Sequence, residues 1–177
     1  MRIEKTKLPD ISVLNSNNAF KFIDGYKADF IDKEDTIDIQ KIGKLFFSTG
    51  PVWIDQIVKL LGLKTSAKIA DKEKQLEKFN CEPNERIGLF CVFNRSENEV
   101  ILGENDKHLD FRVSLFLERN GQSDNKRTLI ISTSVKFNNR FGKLYFIPVK
   151  PFHKFIVPTM LKSMIKNINK EINSKVS

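Results

Sequence analysis

Glycine-rich loops, paired metal-type cysteines and long apolar runs are all missing from this chain of 177 residues. Its eight glycines form no phosphate-cradling loop, which removes P-loop NTPases, and there is no Gly-x-Gly-x-x-Gly for a dinucleotide. No Gly-x-Ser-x-Gly elbow is present to expose a hydrolase nucleophile. Cys81 and Cys91 form no Cys-x-x-Cys pair and read as free thiols. His108 and His153, the only histidines, lack the spacing of a metal-binding pair, so neither a metal nor a cofactor is expected. No window approaches the roughly 20 apolar residues that cross a bilayer. The opening Met1-Arg2-Ile3-Glu4-Lys5 contains an acid and no apolar core, unlike a signal peptide, so a cytoplasmic location is expected.

What is present is an ordinary globular composition, 40% hydrophobic and 29% charged, at a length that fits one domain. The net charge of +8 is unevenly placed. Residues 1–135 hold 21 basic and 21 acidic side chains, whereas 136–177 hold nine basic ones against Glu171 alone. An acidic partner would therefore meet the C-terminal segment.

Residues 1–18 form a polar leader that either packs as an edge or stays mobile. Alternation of Phe20, Phe22, Tyr26, Ala28 and Phe30 with polar residues predicts a first strand over 20–31, with a bulge at Asp24-Gly25. Two short helices follow: one starting at Asp35-Thr36 and presenting Ile39, Ile42, Leu45 and Phe46, the other from Pro51 to Gly62 carrying Trp53, Ile57, Leu60 and Leu61. The charged stretch 64–86 reads as an insertion with a third helix, either a surface helix or a lid. Strands are predicted over 87–94, 98–104, 108–118 and 127–138. In the last two, Leu109, Phe111, Val113, Leu115 and Leu117 share a face with Leu129, Ile131, Thr133, Val135 and Phe137, opposite a polar face expected to be wet. A short strand at 143–148 then leads to a helix from Pro151 to about Glu171. Its inner arc holds Val157, Met160, Leu161, Met164, Ile165, Ile168 and Ile172, and its outer arc Lys162, Lys166 and Lys170. Pro158 either kinks this helix or starts its regular part.

A one-faced sheet must bury its apolar side, and the final helix is the element long enough to cover it. The expected class is α+β: a curved antiparallel sheet wrapped around a long C-terminal helix in a single domain spanning 1–177. Gly50-Pro51-Val52-Trp53, the paired strings 99–104 and 106–113, Gly142-Lys143-Leu144-Tyr145 and Pro151-Phe152-His153 occur in an order that resembles a bacterial family of unknown function. That family is placed in the START/birch-pollen-allergen-like (SRPBCC, helix-grip) superfamily. The resemblance covers about residues 20–166 and implies a cavity between sheet and helix. Relatives joined to NAD-binding reductase-like domains also occur, but this chain carries no such domain, so no dinucleotide function transfers.

Three functional readings follow. In the first, Trp53, Phe111, Val113, Leu115, His153, Met160 and Met164 line a site for a small apolar or amphipathic ligand, since methionine adapts well to varied apolar shapes. In the second, Asp106, His108, Asp110 and Arg112, near Glu104, supply proton transfer for a cyclase or hydratase, with His153 as an alternative base. The bland alternative for this cluster is a set of solvated cross-strand pairs. In the third, the basic outer helix face docks an acidic partner or a membrane; nucleic acid is not expected, because the aromatics lie on the apolar side rather than among the lysines. Of these readings the non-enzymatic ones are preferred.

Overall fold

The computed structural model describes residues 1–16, 19–49, 69–119 and 125–176. Its elements are strands β1 (Ile3–Thr6), β2 (Phe22–Ile31), β3 (Arg86–Ile87), β4 (Phe90–Arg95), β5 (Glu99–Asn105), β6 (Leu109–Arg119) and β7 (Lys126–Phe137), with helices α1 (Ile39–Thr49), α2 (Ile69–Lys78) and α3 (Arg140–Val176). A 3-10 turn occupies Val13–Ser16. The fold is α+β: one seven-stranded antiparallel sheet in the order β1-β2-β7-β6-β5-β4-β3. The helix predicted over 51–62, with Trp53, lies outside the described residues.

The β2–β7 pairing joins the early chain to its last strand over ten residue pairs, from Phe22↔Val135 to Ile31↔Lys126. This register is continuous through Asp24↔Thr133 and Gly25↔Ser132, so the bulge predicted at Asp24-Gly25 is absent. Gly25 marks a close approach instead, because a Cβ would lie 3.0 Å from Ser132 Oγ and 3.1 Å from the Thr6 carbonyl oxygen, tighter than most Cβ contacts. A bulge does occur between β4 and β5, at Phe93. The strand predicted over 87–94 divides into β3 and β4, which fold back across Gly88-Leu89 with Ile87 opposite Phe90. Gly88 takes φ +58°, a conformation that glycine supplies at little steric cost.

One sheet face carries the main core. Val100, Leu102, Leu115, Leu129 and Ile131 pack there with Ile42, Phe46 and Phe47 of α1 and Leu161, Met164, Ile165 and Ile168 of α3. These four α3 side chains are fully buried, each contributing of the order of 2 kcal/mol through lost apolar exposure. Helix α1 starts one turn later than expected: the Asp38 carboxylate accepts from Lys41 N–H at 2.8 Å, so Asp38 is the cap. Asp32 instead ties the preceding loop by accepting from the Thr36 and Ile37 amides at 3.1 and 2.9 Å. Helix α2 is followed directly by Phe79 and Cys81, both in the core, so the C-terminal end of the charged insertion is anchored. Burial pushes the Cys81 thiol up to about 12, and neither described cysteine is bonded to another.

Helix α3 starts earlier than the sequence pattern predicts. Residues 143–148 are helical rather than a strand, and His153 lies well inside the helix. Asn139 provides the start by accepting from Gly142 N–H at 3.0 Å. Gly142 is also a contact requirement, since a Cβ there would meet the His108 carbonyl oxygen at 2.0 Å. Pro148, Pro151 and Pro158 all sit inside the helix. The carbonyls they leave without an i+4 donor belong to Leu144, Ile147 and Lys154, which are all exposed residues, so water can satisfy them.

The second sheet face was expected to be wet and is not. Ser114, Ser132 and Ser134 are fully buried, and Ile101, Phe116, Ile130 and Thr128 nearly so. The leader explains part of this cover: β1 adds an edge to β2, and Leu8 and Leu14 then pack on Ile101 with Phe20 beside them. A buried acid fixes the crossing. Glu99 accepts from the hydroxyls of Ser12 and Ser114, each at 2.5 Å, and from Val13 N–H at 3.0 Å. Removing Glu99 leaves these buried donors without their acceptor, so Glu99→Ala is expected to destabilise by about 2–4 kcal/mol. A urea-unfolding comparison checks this, and a loss under about 0.5 kcal/mol, the range of ordinary surface changes, would contradict the role given to Glu99.

Candidate functional site

Three polar residues break apolar series on the face covered by α3. Asp24 stands in the β2 series that includes Phe22, Tyr26 and Ala28, Thr133 stands between Ile131 and Val135 in β7, and His153 follows Phe146 and Val149 on the inner side of α3. The β2–β7 register sets Asp24 directly opposite Thr133, and the helix lays His153 over both. His153 Nε2 and Thr133 Oγ1 are 2.9 Å apart, and His153 Nδ1 lies 4.0 Å from Asp24 Oδ2. Asp24 is nearly buried, with a side chain 3% exposed. Its Oδ2 accepts from the Tyr26 hydroxyl at 3.3 Å, while Oδ1 accepts from Gly25 N–H at 3.2 Å and faces Lys5 Nζ at 3.3 Å.

The imidazole is held mainly by this arrangement and by Phe22, whose ring meets it edge-on at 6.1 Å. Burial lowers the His153 pKa below its usual value, and the Asp24 charge offsets part of that effect. The same charge contributes to the raised Tyr26 pKa, after burial. A mostly neutral imidazole both donates and accepts a hydrogen bond. Its Nε2 is engaged with Thr133, while its Nδ1 is buried and has no hydrogen-bond partner among the described residues. Such an atom carries an energetic cost unless another polar group reaches it. The cluster therefore offers recognition of a hydroxyl, carbonyl or similar polar group.

The other residues singled out by the sequence fall elsewhere. Val113, Leu115, Met160 and Met164 are buried members of the main core, and Phe111 packs against it half-buried. Trp53 lies outside the described residues. Asp110 and Arg112 alternate with Phe111 and Val113 and so project from the sheet face opposite α3, away from His153. Asp110 accepts from Lys136 Nζ at 3.1 Å and Asn138 Nδ2 at 2.8 Å. Burial opposes its ionisation, but these bonds and the charges of Lys136 and Arg112 outweigh it and hold its pKa low. Arg112 donates to the carbonyl oxygens of Glu104 and Phe111 and to Asn105 Oδ1, and it stacks 3.5 Å over the Phe93 ring turned out by the β4 bulge. His108 meets Asn139 beside the start of α3, and Asp106 accepts from the His108 amide. These four residues thus bind the β5–β6 turn to its neighbours and to the junction of β7 with α3 rather than converging with His153. Among the described residues no group of three or more His, Cys, Asp or Glu is placed to hold a metal ion.

Residues 18–160 match the family described as "Protein of unknown function (DUF2867)". The chain belongs to this DUF2867 family. The match takes in Asp24, Tyr26, Thr133 and His153 and ends before the strongly basic last turns of α3. No curated protein matches the chain, and no solved structure does. No helix among the described residues is long and apolar enough to cross a membrane.

Because His153 has a lowered pKa in the folded chain, it gives stability above its unfolded value that is lost as pH falls. The unfolded chain takes up the proton near pH 6.5, while the folded one resists it. Unfolding free energy is thus expected to decline from just above pH 6.5 down through the folded pKa, and His153→Gln to remove that step. Denaturation of both proteins across pH 5–8 tests it; superimposable pH profiles would contradict the assignment.

Proposed function

We propose that this protein is a helix-grip ligand-binding protein of the START/birch-pollen-allergen-like superfamily, holding a small amphipathic molecule between the sheet and α3. The polar end of that molecule is read by His153, with Asp24 and Thr133 fixing the imidazole, and its apolar part lies along the Phe22 side of the sheet–helix contact. The observation that carries this reading is the buried His153 Nδ1, which has no hydrogen-bond partner among the described residues. It is supported by the antiparallel sheet with its long C-terminal helix and by the aromatic neighbours Phe22, Phe137 and Phe146, whose rings meet edge-on. Ligand sites of this kind pair a few placed polar groups with a mainly apolar lining. The lining expected at Met160 and Met164 is packed core, so the polar end of the site lies about two to three helical turns nearer the start of α3.

Native mass spectrometry of the purified protein, followed by solvent extraction, is expected to reveal a bound low-mass amphipathic compound. Its occupancy should fall at least about tenfold in His153→Leu, which removes the Nε2 bond to Thr133 and the Nδ1 atom proposed to read the ligand, at similar volume. Repeated recovery of ligand-free protein from several preparations, or occupancy indifferent to His153→Leu, would count against the proposal.

A further inference from the structure

Most of α3 hides its apolar side chains, yet its first half is apolar on its outer side as well. Phe141, Leu144, Ile147 and Phe155 are 70%, 65%, 66% and 74% exposed. With the exposed Pro148 and Pro151 they follow one another at spacings of three and four, so they form a continuous stripe along one side of the helix. The inner side of the same stretch is already committed, with Phe146 buried among Leu109, Val135 and Phe22. The outer stripe therefore contributes nothing to the core, and contiguous exposed apolar surface of this kind marks a site of association.

Charge identifies the occupant. Lys143, Lys150 and Lys154 run beside the stripe, all exposed, and Lys162 and Lys166 continue the outer side toward the C-terminus. Among the described residues none of these five lysines forms an ion pair, and Lys150 Nζ lies 5.7 Å from the Phe22 ring centre. From residue 136 onward Glu171 is the one acid, and it pairs with Lys41 at the far end of the helix. An apolar stripe flanked by unneutralised lysines is the pattern of a helix lying in a membrane interface, with its apolar side among the acyl chains and its lysines at anionic headgroups. A second copy of this chain fits less well. Pairing the stripe with itself about a two-fold axis would bring lysine rows of like charge together with no acid to compensate.

We propose that the outer face of the first half of α3 docks the protein onto an anionic lipid bilayer, with Phe141, Leu144, Ile147 and Phe155 entering the headgroup–acyl boundary and Lys143, Lys150 and Lys154 meeting lipid phosphates. The docking is peripheral, because no described helix can span a membrane.

The test is cosedimentation of the full chain with vesicles of phosphatidylcholine alone or with about 30% phosphatidylglycerol, at low salt and at about 0.5 M salt. Binding is expected only to the anionic vesicles, weakening at least about tenfold at high salt. Leu144→Ser/Phe155→Ser should weaken it at least about tenfold, and Lys143→Glu/Lys154→Glu should do the same, both variants keeping the native circular dichroism because the four side chains are exposed. Absence of binding to anionic vesicles, or binding unchanged in the Leu144→Ser/Phe155→Ser variant, would overturn the proposal. So would a concentration-dependent dimer in analytical ultracentrifugation that the same serine substitutions abolish, since the stripe would then be a protein interface.

Discussion

The pairing of β2 with β7 is the constraint on which the rest of the molecule depends. It brings a strand from the first fifth of the chain beside the last strand, with a long excursion of helices and hairpins between them. Closing a loop of that length costs entropy that only a long ladder and a shared core can repay. Ten consecutive residue pairs supply the ladder, and two cores use it. On one face α3 and α1 pack across the sheet, while on the other the leader crosses it and is tied down at Glu99. A one-residue slip of this register would exchange the two faces, sending Asp24 away from His153 and the buried serines of β7 into the main core.

The same register explains why a polar cluster survives inside an otherwise apolar contact. Asp24 and Thr133 are cross-strand partners, so neither can be reoriented alone, and His153 is placed over them by a helix whose start is fixed by Asn139 and by the close approach of Gly142 to the His108 backbone. Asp24 is stabilised by Gly25 N–H, the Tyr26 hydroxyl and the Lys5 ammonium, which lets a carboxylate exist at that depth. His108 therefore contributes to the site indirectly, through its carbonyl at the start of α3, and the ring that reaches the site is that of His153.

Much of the sheet was legible in the sequence because period-two alternation is a direct record of which side chains face the core. Phe111 to Leu117 and Leu129 to Val135 read correctly for that reason, as did the inner arc from Val157 to Ile168. The α+β class with a long C-terminal helix followed from these patterns. The first half of α3 did not, since its three prolines and two apolar sides erase the amphipathic signal, and its start depends on a single Asn139 bond. The β3–β4 turn was hidden because Gly88-Leu89 lacks the usual turn composition. The covered second face was hidden because a polar leader gives no periodic signal, although Ile101, Phe116 and Ile130 on the supposedly wet side were its trace. For the site, the readable signal lay in Asp24 and Thr133 as polar residues at inward positions of apolar strands. Reading charge clusters along the chain led instead to Asp106, His108, Asp110 and Arg112, whose contacts hold turns together.

The account centres on a mostly neutral imidazole buried between α3 and the β2–β7 pair, with Asp24 the charge that faces it. Nitrogen-15 NMR titration of the His153 ring, in the parent protein and in Asp24→Asn, tests this most directly. The account predicts a midpoint below 6.5 in the parent protein and a lower one still in Asp24→Asn, because the variant removes the one charge that favours the imidazolium. A parent midpoint at or above 6.5, or one that does not move in Asp24→Asn, would contradict it.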